Sequence, residues 1–377
     1  MRIAFVSTHP PIECGIGTYT SYLNDALIKL HNETFIISHF GAQGHHVIPT
    51  FSPQSDSLAA DVFDICDKMT PDLVHIQHEF GLYGAQKGVQ IAELILRYRI
   101  AGEPVVITLH TVKPEIPEDE KVVLRVIVSE CSAVIVHEDF QKQTLVNNFG
   151  HADKIHVVPH GIRTPAPIPN ARKKIQVQGK KVILMCGYFR PTKGFHNMVE
   201  WFPEIRKNCK NVTLLIAGKS RGLQYREYQK RFFECINNSP ENENIQVLRG
   251  QFPQHTFDTI ISAADAVVLP YEDGAQSGVL AQCFAFNKPV LVSNLPAFKN
   301  IIKQSGGGIV CNTKKDFIDN IIKVISRNGL KNKMRNNIHK FVKNHNNWGM
   351  IAKRHIDIYH SVVNVPYGKA RHVFWEE

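Results

Sequence analysis

The sequence predicts an α/β protein made of two doubly wound domains in tandem. Two observations support this prediction: short apolar runs rich in Ile and Val alternate with helical patterns, and the alternation stops once near the middle of the chain before it restarts. The chain has 377 residues. That length suits two domains of about 200 residues or somewhat fewer.

The first half of the chain contains apolar runs that are too short for helices and are typical of buried parallel strands. They lie at residues 2–7, 34–38, 73–77, 105–110, 133–137 and 155–159. Helical patterns lie between some of them, at residues 18–30, 88–98 and 140–149. We therefore assign residues 1–163 to a first domain.

The alternation breaks in a segment rich in proline and basic residues, and we interpret residues 164–181 as a linker. A second domain follows over residues 182–347, and a last helix is predicted at residues 348–363, before a tail at 364–377 without an interpretable pattern. Two domains that face each other across a cleft usually bind their ligand there. The strands of the second domain are predicted at residues 182–187, 212–218, 245–250, 266–270, 289–293 and 308–311.

The composition indicates a globular protein that favours anionic partners. Apolar residues make up 43% and charged residues 21%, and no apolar run reaches the ~18 residues of a membrane span. The net charge of +10 favours nucleotides, phospholipid headgroups or nucleic acid, but no nucleic-acid-binding motif accompanies it. The 8 cysteines are scattered without CxxC spacing, and the N-terminal strand is too short for a signal peptide. We expect a cytoplasmic protein without a metal or cofactor; peripheral contact with an anionic membrane and a merely basic surface remain alternatives.

The segment 270–293 carries the strongest functional signal. A buried strand ends at residue 270, a polar turn follows, and a helix pattern begins at Ser277 and Gly278. Unpaired backbone N–H groups at a helix N-terminus bind anions, and at the carboxyl end of a parallel strand they usually bind a nucleotide phosphate. We therefore expect the amides of Ser277, Gly278 and Val279 to contact phosphate groups.

A second strand end supplies positive charge. The loop GYFRPTKG carries Arg190 and Lys193 close together. An arginine can clamp two oxygens and a lysine adds a point charge, so the pair suits a diphosphate and would neutralise it as a leaving group. The strand tips at Gly187 and Gly218 permit close approach of a ligand. Arg249, at a further tip, is a candidate to lie against a nucleobase, with an ordinary surface arginine as the alternative.

The first domain offers weaker candidates at its own strand ends. Gly15 and Gly17 precede a helix, where flexible backbone can approach the diphosphate-bearing ligand from the opposite side of the cleft. A lone Gly-x-Gly is nevertheless weak evidence. His110 ends one predicted strand and would point into the cleft of a doubly wound domain. His78 and Glu79 end another and offer polar groups to an acceptor hydroxyl, or else pack within their loop.

Taken together, these segments resemble the GT-B fold, family 4 retaining glycosyltransferases over essentially the whole chain. Each motif is weak alone and the set is specific. The matching pieces are Gly15-Ile16-Gly17, VHIQHEFG, Thr108-Leu109-His110, VVPHG before the linker, GYFRPTKG, AAD at residues 263–265, and PYEDGAQSGV followed by NKPVLVS.

The resemblance implies two Rossmann-like domains and assigns roles to several residues. It implies that Lys193 and a nearby arginine bind the donor diphosphate, that the early glycine loop lies against the donor, and that His110 sits beside the transferred sugar. It also implies that the C-terminal helix crosses back onto the first, acceptor-side domain. Family members often have an arginine directly after the glycine that corresponds to Gly187. This chain has Tyr188 there, so Arg190 would take the role of that arginine.

A second departure concerns the Glu-x7-Glu pair of the family, which falls on Gly274 and Gln282 here. The second glutamate usually holds the nucleotide ribose, and Gln282 can do so as a neutral hydrogen-bonding group. The first usually contacts the donor sugar, which glycine cannot do, so we expect Gln276, Glu272 or Asp273 to reach the sugar instead.

The sequence therefore predicts a retaining, metal-independent hexosyltransferase. Its donor would be a nucleoside diphosphate sugar, GDP-mannose or a UDP-hexose, and its acceptor a hydroxyl of a glycan, a lipid-linked sugar or a small molecule. Three alternatives remain: a catalytically silent binding subunit, a GT-B epimerase of nucleotide sugars, and a dinucleotide oxidoreductase. Against the oxidoreductase, the sequence has no strand followed by a Gly-x-Gly-x-x-Gly motif with an acidic residue at the expected distance.

Overall fold

The computed structural model of the protein describes residues 1–219, 225–273 and 278–363. The chain forms two compact units. The first contains Met1–Gly161 together with the C-terminal helix, and the second contains Ile162–Asn347. No helix of the described ranges combines the length and apolar character that crossing a membrane requires.

The first unit is built on a parallel sheet of seven strands in the order β3-β2-β1-β4-β5-β6-β7. The strands are β1 (Arg2–Val6), β2 (Glu33–His39), β3 (Val47–Phe51), β4 (Leu73–His78), β5 (Val105–Leu109), β6 (Ala133–Val136) and β7 (Ile155–Val157). The helices that connect them are α1 (Gly15–Ile28), α2 (Leu58–Lys68), α3 (Gln90–Ala101), α4 (Glu118–Glu130) and α5 (Asp139–Phe149).

Helices cover both faces of this sheet, which explains why its strands are almost continuously apolar. Successive side chains of a strand point to opposite faces. In β1, Ile3 and Phe5 pack into one core layer, whereas Ala4 and Val6 pack into the other. Burial of side chains of this size stabilises the fold by about 2 kcal/mol each.

The second unit repeats the plan with a parallel sheet of six strands in the order β10-β9-β8-β11-β12-β13. The strands are β8 (Lys181–Tyr188), β9 (Val212–Lys219), β10 (Ile245–Arg249), β11 (Ala266–Leu269), β12 (Val290–Ser293) and β13 (Gly308–Cys311). Its helices include α6 (Ala171–Lys174), α7 (Phe195–Asn208), α8 (Arg226–Asn237), α9 (Gln254–Ala263), α10 (Gly278–Ala285), α11 (Pro296–Ser305), α12 (Lys314–Ser326) and α13 (Asn328–Phe341).

The chain then returns to the first unit through α14 (Trp348–Val363), which packs against α1. Trp348, Ile351 and Tyr359 are buried there with Leu23 and Leu27 of α1. The predicted pair of Rossmann-like domains and the return of the C-terminal helix are thus confirmed.

Two segments differ from the sequence interpretation. Strand β3 was not predicted, because its sequence VIPTF contains Pro49; the strand lies at an edge of the sheet, where a residue without an N–H is tolerated. The segment 164–181, interpreted as a linker, belongs to the second unit, where it forms α6 and buries Ala171 and Val177 in the core. Ile162, which the interpretation placed in the first domain, is buried in that same core.

Each sheet has one point at which the strand order changes direction. It lies between β1 and β4 in the first sheet and between β8 and β11 in the second. Loops that leave the carboxyl ends of these strand pairs turn to opposite faces of the sheet, and the crevice between them is where open α/β sheets bind ligands.

Candidate functional site

In the second unit, the loops that follow β8 and β11 contact each other at this crevice. The backbone N–H of Glu272 donates to the carbonyl oxygen of Thr192 over 2.9 Å. Nδ2 of Asn197 donates to the Glu272 carboxylate over 3.2 Å. Gly194 has a φ of +64°, and a Cβ at this position would overlap the carbonyl oxygen of Pro270. The loop GYFRPTKG therefore lies directly against the start of the segment 270–293.

Aromatic rings surround the two cations of this loop. Nζ of Lys193 lies 3.5 Å from the ring centroid of Tyr271, a cation–π contact. The guanidinium carbon of Arg190 lies 5.7 Å from the ring centroids of Tyr188 and Tyr225. Nε of Arg190 is buried, and no residue of the described ranges accepts its proton. The rings hold both cations without neutralising them, which leaves the charges available to an anion.

The environment of Lys193 lowers the pKa of its ammonium group to about 8. Burial is the main cause, since it disfavours the charged form, and the nearby Arg190 adds repulsion that Asp273 partly offsets. The attraction of a bound polyanion would offset both effects. This is the electrostatic signature of a cation placed for a negatively charged ligand.

The glycines at the strand tips allow the backbone to pack closely at the crevice. Gly187 and Gly218 are paired in register on β8 and β9. A Cβ on Gly218 would overlap the carbonyl oxygen of Gly187, and a Cβ on Gly187 would lie 3.8 Å from Cγ2 of Val279. The tip of β8 is therefore adjacent to the first turn of α10.

The helix α10 begins at Gly278, where the sequence predicted a helix start, and its first turn contains no acidic residue. Its first N–H groups have no partner within the helix and carry the positive end of its dipole. Gly274, Gln276 and Ser277 lie outside the described residues, so their predicted contacts stay predictions. The arrangement combines two cations with a helix N-terminus at one edge of the sheet.

Arg249 and Glu272 have protein partners in this structure. The exposed Arg249 lies with its guanidinium carbon 4.4 Å from the ring centroid of Phe233. Glu272 is exposed and bonded to Asn197. The predicted nucleobase contact of Arg249 and donor contact of Glu272 stay predictions.

Gln282 belongs to a side-chain cluster that sequence reasoning missed. Its Oε1 accepts a 2.5 Å hydrogen bond from Nη2 of Arg163, whose guanidinium also donates to both carboxylate oxygens of Asp258 at 2.6 and 3.1 Å. This use of Oε1 leaves the Gln282 amide group as a donor, whereas the family glutamate is an acceptor. No local pattern links these residues, because Arg163 lies 95 positions from Asp258 and 119 positions from Gln282.

In the first unit, Gly15 and Gly17 form the first turn of α1 and differ in their surroundings. Gly15 is exposed, and a Cβ there would meet nothing within 4 Å. Gly17 is buried, and a Cβ there would lie 3.2 Å from backbone atoms of Thr8 and His9. Gly17 therefore lets the loop after β1 pack on the helix, and Gly15 presents open backbone. Their predicted contact with the donor stays a prediction.

His110 follows β5 and is buried, with 8% of its surface exposed. Its Nε2 donates to Oε1 of Gln77 over 2.8 Å, and its Nδ1 lies 3.4 Å from Nε2 of His137. Burial, with the surrounding imidazoles, holds the pKa of His110 well below its usual range, so the ring is neutral near pH 7. Both ring nitrogens thus have protein neighbours, which the sequence did not reveal.

The polar chain continues from Gln77 to the C-terminal helix. Nε2 of Gln77 donates to Nε2 of His75 over 3.2 Å, and Nδ1 of His75 lies 2.6 Å from the Tyr359 hydroxyl. At the other end, Nδ1 of His137 donates to the Val158 carbonyl over 2.9 Å. We call His75, Gln77, His110, His137 and Tyr359 the histidine network. Its sequence signal is a histidine on or directly after each of β4, β5 and β6, which are neighbours in the sheet.

His78 lies in the core of the first unit, which agrees with the packing alternative that the sequence left open; its predicted acceptor contact stays a prediction. Its side chain is fully buried between Phe80 and Tyr83, and neither ring nitrogen has a hydrogen-bond partner in the described part of the chain. Its position as the last residue of β4 turns it into the core. Glu79 is half-buried, and its carboxylate accepts from the Thr111 hydroxyl over 2.6 Å. Burial raises the pKa of Glu79, and its predicted acceptor contact stays a prediction.

Comparison with known proteins identifies the family of this chain independently of the site geometry. The family model described as Glycosyltransferase Family 4 matches residues 15–165, and the model described as Glycosyl transferases group 1 matches residues 167–341. Glycosyltransferase 1 domain-containing protein 1 of Xenopus tropicalis is 22% identical over 248 residues, which cover 63% of this chain and 70% of that protein. The putative glycosyltransferase YtcC of Bacillus subtilis is 24% identical over 253 residues, which cover 63% of this chain and 62% of that protein.

Among solved structures, Anabaena HepE in complex with UDP has a TM-score of 0.76 at 17% identity, over 96% of this chain and 100% of that one. Its complex with UDP-glucose has a TM-score of 0.74 at 16% identity, over 97% and 100%. These similarities show the fold. Because the two family models match successive halves of the sequence and each half folds as a doubly wound α/β unit, the chain belongs to the family 4 glycosyltransferases of the GT-B fold.

Proposed function

We propose that this chain is a retaining, metal-independent hexosyltransferase that uses a nucleoside diphosphate sugar, GDP-mannose or a UDP-hexose. The acceptor would be a hydroxyl of a glycan, a lipid-linked sugar or a small molecule. One observation carries the proposal: the loops after β8 and β11 meet where the strand order changes, and they bring Arg190, Lys193 and the N-terminus of α10 to one edge of the sheet. The HepE complexes with UDP and UDP-glucose favour a UDP-hexose over GDP-mannose as the donor.

Two cations beside a helix N-terminus suit a pyrophosphate better than a single charge. Arg190 can donate two parallel hydrogen bonds to phosphate oxygens, Lys193 adds a point charge, and the amides of Gly278 and Val279 donate from the helix end. These groups would stabilise the negative charge that develops as the nucleoside diphosphate departs. The acceptor hydroxyl could then attack the anomeric carbon of the donor without a protein nucleophile.

In the step that we propose, the bond between the anomeric carbon and the β-phosphate oxygen breaks. A new bond forms on the same face between that carbon and the acceptor oxygen. The proton of the acceptor hydroxyl moves to the departing phosphate oxygen, so charges and atoms balance. Retention of the anomeric configuration follows, because attack and departure take place on one face of the sugar.

His110 would act in this scheme as a neutral hydrogen-bonding group, because its lowered pKa excludes an imidazolium near pH 7. Gln282, with Oε1 engaged by Arg163, would offer its amide protons to the nucleotide ribose. We expect His110→Ala to lower kcat more than it weakens nucleotide binding. We expect Gln282→Ala to weaken binding of the free nucleoside diphosphate.

The test starts with a thermal-shift screen against UDP, GDP, ADP and their sugars, since a ligand that binds only the folded state raises its melting temperature. Transfer from the best donor to cell-derived glycan and lipid fractions is then measured, and the product anomer is read by NMR. Lys193→Ala and Arg190→Ala should each lower kcat/KM about a hundredfold, the effect of losing one transition-state partner. Lys210→Ala, on an exposed lysine of the same unit, serves as the control.

Three results would contradict the proposal. Near-wild-type turnover in both variants would remove the cationic loop from the active site. Conversion of the donor sugar to an epimer without any acceptor would indicate an epimerase. Tight nucleotide binding without transfer to any fraction would indicate a silent subunit.

A further inference from the structure

A second polar pocket of about 680 Å³ lies in the second unit, away from the loops discussed above. It is formed by one face of α13, the turn after α10 and the proline-rich segment before α6. Its lining includes Lys288, Arg335, His339 and the amide side chains of Asn287, Asn332 and Asn336. Among the described residues, none of those in the loops after β8 and β11 lines it.

The position of this pocket separates it from the donor site. The lining residues 285–288 comprise the last residue of α10 and the turn that follows it, whereas the candidate phosphate site lies at the N-terminal end of that helix. The helix has 8 residues, so the two ends are about 12 Å apart at 1.5 Å per residue. The same residues lead into β12, which places the pocket at the amino edge of the sheet and the donor loops at its carboxyl edge.

The pocket is positively charged. Lys288, Arg335 and His339 line it, and no Asp or Glu does among the lining residues. The described residues include no hydrogen-bond or ion-pair partner for the side chain of Arg335. Asn332, Arg335 and Asn336 lie on successive turns of one face of α13, so their donors converge on the same space.

Lys288 gives the pocket a buried cation. Only 5% of its surface is exposed, and its Nζ donates to the carbonyl oxygens of Ser262 and Ala264, both at 2.8 Å. An ammonium group has three N–H donors, so one is left over. The hydroxyl of Ser262, which also lines the pocket, is buried and has no partner in the described part of the chain. Beside this space, two buried donors therefore lack acceptors among the residues that the structure describes.

The charges around Lys288 favour an added anion. Burial lowers the pKa of Lys288 to about 7, and repulsion from Arg335 contributes to this shift. Asp265 opposes it, but that carboxylate is already paired with Arg172 and Lys331 at 2.7 Å. The charged or titratable groups that face Lys288 are thus Arg335, Arg172, Asp265 and Cys283, with His339 on the pocket wall.

We propose that this pocket binds a small phosphorylated molecule, with its phosphate held by Arg335 and Lys288 and its remaining polar groups by the asparagine amides. Arginine and lysine together match a tetrahedral oxyanion, and the volume falls in the range of pockets for small-molecule ligands. The phosphate is that of a phosphorylated sugar or free inorganic phosphate, and the experiment separates these two sources. The proposal does not depend on the proposed function of the donor loops.

The test is calorimetric titration of the full chain with inorganic phosphate and with a hexose phosphate at constant ionic strength. Arg335→Gln should weaken binding at least about tenfold, because a charge-assisted hydrogen bond is lost. Arg327→Gln removes an equal charge next to the start of α13 outside the pocket, and should bind as the wild type does. Lys193→Ala should also bind as the wild type does, because it alters only the donor loop. Tighter binding of the hexose phosphate identifies the organic source, and equal binding identifies phosphate itself.

The proposal is overturned if the wild type binds neither compound at millimolar concentration, or if Arg335→Gln binds both as tightly as the wild type does. It is also overturned if binding is lost in Lys193→Ala and retained in Arg335→Gln, because the anion then occupies the donor loop.

A second arm tests Lys288 without requiring a core substitution. Sulfate keeps its charge over the range from about pH 6 to about pH 9, so a change in its affinity reports on the protein. Affinity should fall as the pH rises through about 7, where Lys288 loses its proton. The fall should persist in His339→Gln. A sulfate affinity that is constant over this range, or that becomes constant in His339→Gln, contradicts the role of Lys288.

Discussion

At the scale of single residues, Lys193 shows how the fold tunes a side chain for an anion. A solvated lysine keeps its proton far above physiological pH, whereas burial beside Arg190 brings the pKa of Lys193 to about 8. The ring of Tyr271 under its Nζ holds the ammonium group in place. The cost of keeping this cation charged is relieved only when a negative ligand arrives.

This environment predicts a pH dependence of nucleotide binding. Above about pH 8 the free protein loses the Lys193 proton, so the dissociation constant for a nucleoside diphosphate should rise by at most about tenfold per pH unit. Lys193→Arg keeps its charge and should remove this dependence. Calorimetry from about pH 7 to about pH 9.5 measures it. A flat profile for the wild-type protein would show that Lys193 does not contact the ligand.

The sequence predicted individual residues best where a motif fixed their chemistry. The two cations of GYFRPTKG and the glycine start of α10 were found because strand ends and small residues are visible in the sequence. Arg163, Asp258 and Tyr359 were not found, because each has a partner 95 or more positions away that no local pattern connects to it. The sequence did not decide whether His78 is buried, for a related reason: the side of β4 on which its last residue lies depends on the packing of Phe80 and Tyr83.

At the scale of elements, the loop after β8 depends on Gly194 for two reasons. Its φ of +64° is a conformation that other residues rarely adopt, and a Cβ would overlap the carbonyl oxygen of Pro270. Gly179, in the same unit, has a φ of +73° but open space around its Cβ position. The pair separates the cost of the backbone conformation from the cost of the contact between the two loops.

We expect Gly179→Ala to lower the free energy of unfolding by about 1 kcal/mol and to leave nucleotide binding unchanged. Gly194→Ala should cost more and should weaken nucleotide binding, because the loop carrying Lys193 must move away from Pro270. Urea unfolding and calorimetry measure the two effects. Equal stability and equal binding in the two variants would mean that the loop contact does not position the cations.

The elements themselves were largely predictable from the sequence. Twelve of the strands were placed within two residues at each end, because buried parallel strands are short and rich in Ile and Val. Strand β3 was missed at Pro49, and α6 was missed because 4 residues are too few to show a helical period. Both exceptions are segments whose structure is set by tertiary packing.

At the scale of the whole molecule, the first unit buries an unusual set of neutral histidines. Burial lowers the pKa of His78 and His137 to about 3 and that of His355 to about 4, and it holds the pKa of His75 and His110 well below the usual range. In the unfolded chain these rings titrate near pH 6.5. Between the lowered pKa values of the folded state and about 6.5, the unfolded state binds more protons than the folded state does. The free energy of unfolding therefore decreases as the pH falls below about 6.5.

We therefore predict that the free energy of unfolding falls steeply between about pH 7.5 and about pH 5.5, with each neutral ring contributing up to about 1.4 kcal/mol per pH unit. His78→Met should reduce the number of protons taken up on unfolding by about one, and with it the slope. The substitution should break no hydrogen bond, because neither ring nitrogen of His78 has a described partner. His360→Met, at an exposed position of α14, is the control. Urea unfolding at both pH values provides the measurement. An unchanged slope in His78→Met would show that this ring is protonated in the folded state.

The central claim is that Arg190, Lys193 and the start of α10 bind the pyrophosphate of a nucleotide sugar. Calorimetry that compares a nucleoside diphosphate with its monophosphate tests this most directly, using the base that the thermal-shift screen selects. The wild type should bind the diphosphate at least about tenfold more tightly, and Lys193→Ala should lose most of that preference, since one charge-assisted contact to the second phosphate is gone. Equal affinities in the wild type, or an undiminished preference in Lys193→Ala, would contradict the claim.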